Sequence, residues 1–212
     1  MLAESLAAAA LICLDPGHGT PPAIGRQREP IGPGSPTTKI KDGGGAPGET
    51  EAVLAIAMRT RTLLNRRGYR VAMTRTSSTF RGGNIERARF CNRQGAALML
   101  RIHADGSTDE SRRGASTLFP ARRVGWTDDV YGRSRRAARV IQGSLVRATR
   151  ARNLGLVERS DLTGFNWADV PVVLAETGFM TNPTEGRLLG TSAYQWRVAR
   201  GLAAGVAAFT SR

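Results

Sequence analysis

The sequence is poor in the residue types and motifs on which several common sites depend. It has two cysteines and two histidines among 212 residues, and only two of its 31 basic residues are lysines. Neither cysteine belongs to a CxxC or CxxH pair, which excludes zinc-ribbon and thioredoxin-like sites. The absence of HExxH excludes a helix-borne zinc protease. No apolar run approaches the roughly 20 residues that span a bilayer, so we expect no transmembrane segment.

The two cysteines leave two interpretations open. Cys13 lies in an apolar stretch, and Cys91 follows Phe90 on a predicted helix. The favoured interpretation is a pair of buried thiols that pack as small hydrophobic side chains. The alternative is a disulfide between them if the protein is exported, because disulfides persist in oxidising compartments.

The first ten residues, MLAESLAAAA, are rich in alanine and contain no basic residue. They therefore do not form a complete secretory signal as written. We expect residues 1–10 to be an N-terminal tail and residues 11–212 to form one domain, because the length suits a single core.

The net charge is +14 and the isoelectric point is about 11.4. This balance favours a polyanionic partner such as nucleic acid, an acidic membrane or an anionic cell-wall polymer. No recognised nucleic-acid-binding motif is present, so charge alone supports the hypothesis of a nucleic-acid-binding protein. We therefore expect no specific nucleic-acid partner. Arginines on exposed helix faces can also be simply solvated.

Apolar segments alternate with amphipathic ones along the chain. Strands are predicted at residues 11–14, 69–74, 96–103, 115–119 and 171–176, and helices at 49–68, 84–95, 134–151 and 191–209. Because the strands are apolar throughout, they predict a single α/β domain with a central, mainly parallel twisted sheet and helices on both faces. Asn84 is the predicted N-cap of the second helix. Residues 21–48, dense in Pro and Gly, are predicted to be a long loop.

Four residues with ligand or proton-transfer chemistry lie at the ends of these elements: His18, Glu49, His103 and Glu176. Three follow or end predicted strands, whose carboxyl ends carry functional groups in such sheets. Two imidazoles and one carboxylate form a common catalytic zinc set, and a further carboxylate is then needed as general base and acid. The sequence therefore predicts a zinc site with Glu176 as the proton carrier.

Several motifs carry a family resemblance: LDPGHG, then E-x-x-x-x-LAIA, RRGYRVAMTRT, RIHAD and VLAETGFMTNPTE. Together, from about residue 11 to 209, they resemble the zinc-dependent N-acetylmuramoyl-L-alanine amidases of the amidase-3 family. The resemblance implies an α/β fold and one Zn²⁺ per chain. It also implies hydrolysis of the peptidoglycan amide between N-acetylmuramic acid and the L-alanine of the stem peptide.

Carried over by motif, the resemblance implies His18, Glu49 and His103 as zinc ligands and Glu176 as the catalytic residue. Glu49 is preferred to Glu51 because the family's ligand precedes the LAIA stripe, here residues 54–57, by five positions. Glu51 is then an ordinary carboxylate of the first helical turn, where the helix dipole favours it.

The resemblance also implies a secreted protein that acts at the cell wall or on the periplasmic side. Its expected partners are peptidoglycan or muropeptides, with anionic cell-wall polymers suggested by the charge, and we expect a monomer. The segment between His18 and Glu49 is long for the family and is expected to shape or cover the groove. Arg101 replaces the family's usual small residue before Ile-His.

Three supporting roles are predicted near the site. Asp15 is expected to support the turn after the first strand or to hydrogen-bond a ligand imidazole. Arg75 is expected to be structural, as an ion-pair former, rather than a substrate contact. Gly19 is expected to keep the approach to the metal clear.

Two other functions share these features. One is another zinc peptidase or amidase, although zinc carboxypeptidases pair the first His with a Glu a few residues later, and this chain does not. The other is a non-catalytic cell-wall-binding or regulatory homologue, against which the retention of all four residues weighs. A phosphate-binding turn is disfavoured because DPGHG lacks the glycine spacing of nucleotide-binding loops.

Overall fold

The structure, a computed structural model, describes residues 9–211, so most of the predicted N-terminal tail lies outside the described residues. The strands are β1 (Leu11–Pro16), β2 (Arg28–Pro30), β3 (Thr38–Ile40), β4 (Arg70–Met73), β5 (Leu98–Asp105), β6 (Ala115–Pro120), β7 (Asn153–Arg159) and β8 (Val172–Phe179). The helices are α1 (Pro22–Gly25), α2 (Glu49–Asn65), α3 (Asn84–Arg93), α4 (Tyr131–Thr149), α5 (Thr163–Asn166), α6 (Pro183–Leu189) and α7 (Ser192–Thr210).

The central sheet has six strands in the order β4-β1-β5-β8-β6-β7. Strands β4, β1, β5 and β8 are mutually parallel, β6 is antiparallel to β8, and β7 is parallel to β6. The prediction of a mainly parallel α/β sheet is confirmed. Strand β7 was not predicted, because it forms the sheet edge and most of its residues are exposed, so its sequence has no continuous apolar run.

Helices cover both faces of this sheet, as expected. Alternate residues of β1 point to opposite faces: Ile12 and Leu14 join the core formed with α2, α4 and α7, whereas Cys13 joins a second core with α3 and α5. This division follows from the two-residue period of a strand. No helix within residues 9–211 is long and apolar enough to cross a membrane.

Cys13 and Cys91 form a disulfide between β1 and α3, with Cα atoms 5.6 Å apart. The favoured interpretation of two free buried thiols is therefore wrong, and the alternative holds. The reason is the packing of α3 across the face of β1 to which Cys13 points, which brings the two Cα atoms within ordinary bonding range.

The segment of residues 21–48 is not a structureless loop. It contains α1 and an antiparallel pair, β2 and β3. The buried carboxylate of Glu29 accepts hydrogen bonds from the backbone N–H groups of Asn84 (3.0 Å) and Ile85 (3.2 Å), which fastens this segment to the start of α3. Gly83, rather than Asn84, is the N-cap of α3, so that prediction was wrong by one residue. The Asn84 amide donates instead to Glu29.

Candidate functional site

His18, Glu49 and His103 meet at the carboxyl end of the parallel strands. His18 lies two residues after β1, His103 is in β5, and Glu49 is the first residue of α2. One potential ligand atom from each lies within 4.8 Å of the others. The structure thus brings together the three residues that the sequence indicated as ligands.

Glu49 is the central member of this cluster. Its Oε1 lies 3.1 Å from His18 Nε2 and 3.2 Å from His103 Nδ1, and it accepts a hydrogen bond from the Ala104 N–H at 3.1 Å. Its Oε2 accepts from the Ala46 N–H at 3.0 Å. Glu49 is buried, whereas Glu51 is exposed. The geometry therefore favours Glu49 over Glu51, as the helix stripe indicated.

Burial and hydrogen bonding together set the protonation state of each residue in this cluster. Burial opposes ionisation of Glu49, yet hydrogen bonds from His103 and His18 hold its pKa well below the usual range. Burial also opposes protonation of His18, but Asp42 and Glu49 raise its pKa to about 9. The pKa of His103 is lowered, chiefly by burial, so its imidazole stays neutral and can act as a ligand.

Asp42 orients His18, and no sequence motif pointed to this residue. Its Oδ1 lies 2.7 Å from His18 Nδ1, and its carboxylate also accepts from the N–H groups of Gly44 (2.8 Å) and Thr20 (3.1 Å). A carboxylate on one imidazole nitrogen fixes the tautomer and turns the other nitrogen toward a ligand site. Asp42 lies in the aperiodic segment of residues 21–48, whose path no sequence pattern reveals.

Asp15 supports the turn and does not contact an imidazole, so only the first of its two expected roles is found. It is buried, and its carboxylate accepts from Arg87 (2.7 Å), Arg101 (2.8 Å) and Thr74 (2.6 Å). Burial alone would raise the pKa of Asp15, but the two guanidinium groups hold it well below the usual range. Arg101 replaces the small residue that is usual in the family. It is one of the two buried guanidinium groups that pair with Asp15 beneath the site.

Two buried arginines hold the carbonyl groups of the turn that carries His18. Arg75 donates to the carbonyl oxygens of Pro16 (3.0 Å) and Gly17 (2.6 Å), and Arg87 donates to that of His18 (2.6 Å). His18 has a φ of 57°, which is unusual for a residue other than glycine. These bonds stabilise that conformation. Arg75 is structural as predicted, although its partners are carbonyl groups rather than a carboxylate.

Two glycines allow the clustered side chains to approach one another. A Cβ on Gly17 would lie 2.2 Å from His103 Cε1, and one on Gly45 would lie 2.7 Å from both Glu49 Oε2 and His18 Cδ2. The predicted role of Gly19 is wrong, because that glycine adjoins the carbonyl oxygen of Ser78, where a Cβ would lie at 2.5 Å.

Glu176 is opposite His103 in the pairing of β5 with β8. It lines a cavity of about 660 Å³ together with the three clustered residues. Its pKa is raised well above the usual range, first by burial and then by the nearby carboxylates of Asp105 and Glu49. Among the described residues, Glu176 Oε2 and His103 Nε2 are buried side-chain atoms without a hydrogen-bond partner.

This donor set fits a zinc ion. Two imidazoles and one ionised carboxylate are ligands that catalytic zinc takes, and such sites leave a position open for water or substrate. An imidazole nitrogen without a partner is available for coordination, since a buried polar atom otherwise requires a hydrogen bond. A second carboxylate in the same cavity is typical of hydrolases of this chemistry.

Comparison with known proteins assigns the family. The family model described as N-acetylmuramoyl-L-alanine amidase matches residues 12–208, and the chain belongs to this family of hydrolases. The N-acetylmuramoyl-L-alanine amidase AmiA of Salmonella typhimurium is 29% identical over 235 residues, covering 94% of this chain and 75% of that protein.

Two mycobacterial proteins are also similar to the chain. An N-acetylmuramoyl-L-alanine amidase of Mycobacterium tuberculosis is 31% identical over 211 residues. The match covers 94% of this chain and 86% of that protein. The crystal structure of the amidase Ami1 from Mycobacterium abscessus matches with a TM-score of 0.86 and 29% identity, covering 97% of this chain and 100% of that one. These matches agree with the α/β architecture and with an amidase that acts on peptidoglycan.

Proposed function

We propose that the protein is a zinc-dependent amidase that hydrolyses the bond between the lactyl group of N-acetylmuramic acid and the L-alanine of the peptidoglycan stem peptide. The observation that carries the proposal is the convergence of His18, Glu49 and His103 within 4.8 Å, with Glu176 in the same cavity. The names of the relatives support the substrate class.

In this proposal His18, Glu49 and His103 hold the zinc ion. His18 uses Nε2, because Asp42 occupies its Nδ1. When bound, zinc supplies a positive charge that acidifies water and polarises the scissile carbonyl group. Glu49 remains ionised and offsets part of that charge.

Glu176 acts as general base and then as general acid. Its carboxylate takes a proton from the attacking water and passes it to the departing α-amine of L-alanine. Burial supports this role, since it raises the pKa of Glu176 and favours retention of the proton between the two steps.

We further propose that residues 11–212 act as one catalytic domain outside the cytoplasm. The disulfide between Cys13 and Cys91 supports this location, because such bonds persist in oxidising compartments. Peptidoglycan lies in the same compartment.

The variant Glu176→Gln tests the catalytic role. We expect a loss of about 10²–10⁴-fold in kcat on a purified muropeptide, because the variant keeps the shape of the side chain but cannot accept the proton. Its zinc content should equal that of the parent protein. Glu110→Gln, at an exposed carboxylate, is the matched control and should keep the parental rate. Parental activity in Glu176→Gln would contradict the role.

A further inference from the structure

A second cavity, of about 210 Å³, adjoins the site on the side of the β2–β3 segment. It shares His18 and His103 with the larger cavity. Both lysines of the chain, Lys39 and Lys41, line it. Lys39 is in β3, and Lys41 is the first residue after that strand. A spacing of two positions places side chains on the same face of an extended chain.

The positive charge of this second cavity is only partly balanced, because four cationic side chains line it against two carboxylates: Lys39, Lys41, Arg87 and Arg101 against Asp42 and Asp161. The two arginines share the buried carboxylate of Asp15. Lys39 pairs with Asp161, but the same carboxylate also receives two hydrogen bonds from Arg159, at 2.8 and 2.9 Å. Lys41 forms no ion pair within residues 9–211, and its Nζ donates to the neutral Oε1 of Gln27 at 3.1 Å. Within the described residues the ammonium group of Lys41 therefore has no charged partner to displace before it can bind an anion.

Packing restricts the path of the Lys41 side chain, and a hydrogen bond fixes its backbone. A Cβ on Gly83 would lie 2.7 Å from Lys41 Cγ, so the side chain passes closely over that glycine. The carbonyl oxygen of Lys41 accepts from the Asn84 amide at 2.7 Å. A lysine fixed along its stem loses less side-chain entropy when its ammonium group binds a ligand.

The two cavities differ in size and in charge. The larger one is lined by three carboxyl groups, those of Glu49, Asp105 and Glu176, against one guanidinium group, that of Arg159. This excess of acidic groups disfavours an anionic ligand, and the volume suits a neutral sugar. The smaller one suits a short anionic group close to the scissile bond. A substrate whose scissile amide lies at His18 and His103 would extend into both.

We propose that Lys41, supported by Lys39, binds a free carboxylate on the stem-peptide residue next to L-alanine. The enzyme then distinguishes stem peptides that carry this carboxylate from those in which it is a carboxamide. This inference rests on the proposed amidase function and adds the charge selectivity of the peptide side of the site.

Two synthetic muropeptides that differ only in this group, with D-isoglutamate or D-isoglutamine after L-alanine, test the proposal. We expect the parent protein to prefer the carboxylate in kcat/KM by roughly tenfold, the effect of one charge-assisted hydrogen bond. Lys41→Gln should bring the ratio close to one, and Lys41→Arg should preserve it. Arg26→Gln removes an exposed charge outside the cavity and should leave the ratio unchanged.

A binding measurement supplements the rates. Titration of the parent protein with the product dipeptides should show the same preference for the carboxylate, lost in Lys41→Gln. Equal rates of the parent protein on both muropeptides, or equal losses on both in Lys41→Gln, would overturn this inference and leave the amidase function intact. Failure to cleave either muropeptide at the muramoyl–alanine bond would overturn the proposed function, and this inference with it.

Discussion

At the scale of single residues, Asp42 determines which nitrogen of His18 faces Glu49 and the proposed zinc site. Its carboxylate is fixed by Thr20 and Gly44 and lies 2.7 Å from His18 Nδ1. Sequence reasoning indicated the proposed ligands from the strand ends and the family motifs. It missed Asp42, because the contact joins residues 24 apart through a segment without hydrophobic periodicity.

Asp42→Asn should weaken zinc binding by about 10–100-fold, because the imidazole loses the carboxylate that orients it and raises its basicity. Competition with a chelator of known affinity measures the change. Asp129→Asn, at an exposed carboxylate that lines neither cavity, is the control. Unchanged affinity in Asp42→Asn would show that the rest of the fold suffices to orient His18.

Asp15 gives a prediction about pH. Its pKa in the folded protein is lowered by Arg87 and Arg101, so its contribution to the free energy of unfolding is present above the unfolded pKa of about 3.9 and is lost as pH falls below it. Asp15→Asn should destabilise the protein by about 3–5 kcal/mol near neutral pH, because both buried guanidinium groups lose their carboxylate.

Chemical denaturation from pH 7 to pH 3 measures this linkage. The difference between the parent protein and Asp15→Asn should be constant above about pH 5 and should shrink below about pH 4. A difference that stays constant over the whole range would mean that the Asp15 charge does not stabilise the fold.

At the scale of elements, the sequence predicted those with continuous apolar runs or a strong helical stripe, such as β1, β5, β8 and α2. It did not predict β7, because an exposed edge strand has no core pattern, or the β2–β3 pair, because its three-residue strands are stabilised by distant contacts. One such contact is the hydrogen bond from the Asn84 N–H, at the start of α3, to Glu29. It joins residues 55 positions apart, so no local sequence pattern predicts it.

The disulfide between β1 and α3 spans 78 positions of sequence. Replacing both cysteines, in Cys13→Ala/Cys91→Ala, should lower the free energy of unfolding by about 2–5 kcal/mol, mainly because the unfolded chain regains conformational freedom. Thermal unfolding with and without reductant measures the effect. Reductant should lower the Tm of the parent protein and leave that of the double variant unchanged. Equal Tm values without reductant would contradict a stabilising bond.

At the scale of the whole molecule, the parallel strands bring their carboxyl ends to one edge, and that edge carries the proposed ligands, the proposed catalytic carboxylate and both cavities. The overall architecture was predictable because the apolar strands and amphipathic helices alternate along the chain. The charge distribution between the two cavities was not predictable from the sequence, because it depends on which arginines form ion pairs with Asp15 and Asp161.

We propose above all that this edge of the sheet is a zinc-dependent muramoyl–alanine amidase site. Mass spectrometry of the products from a defined muropeptide, with and without chelator, tests the bond and the metal together. We expect a free stem peptide that begins with L-alanine and a muramic acid with a free lactyl carboxylate. We also expect no product after chelation and recovery when about one Zn²⁺ per chain is restored. Cleavage at another bond, or equal product formation with chelator present, would contradict it.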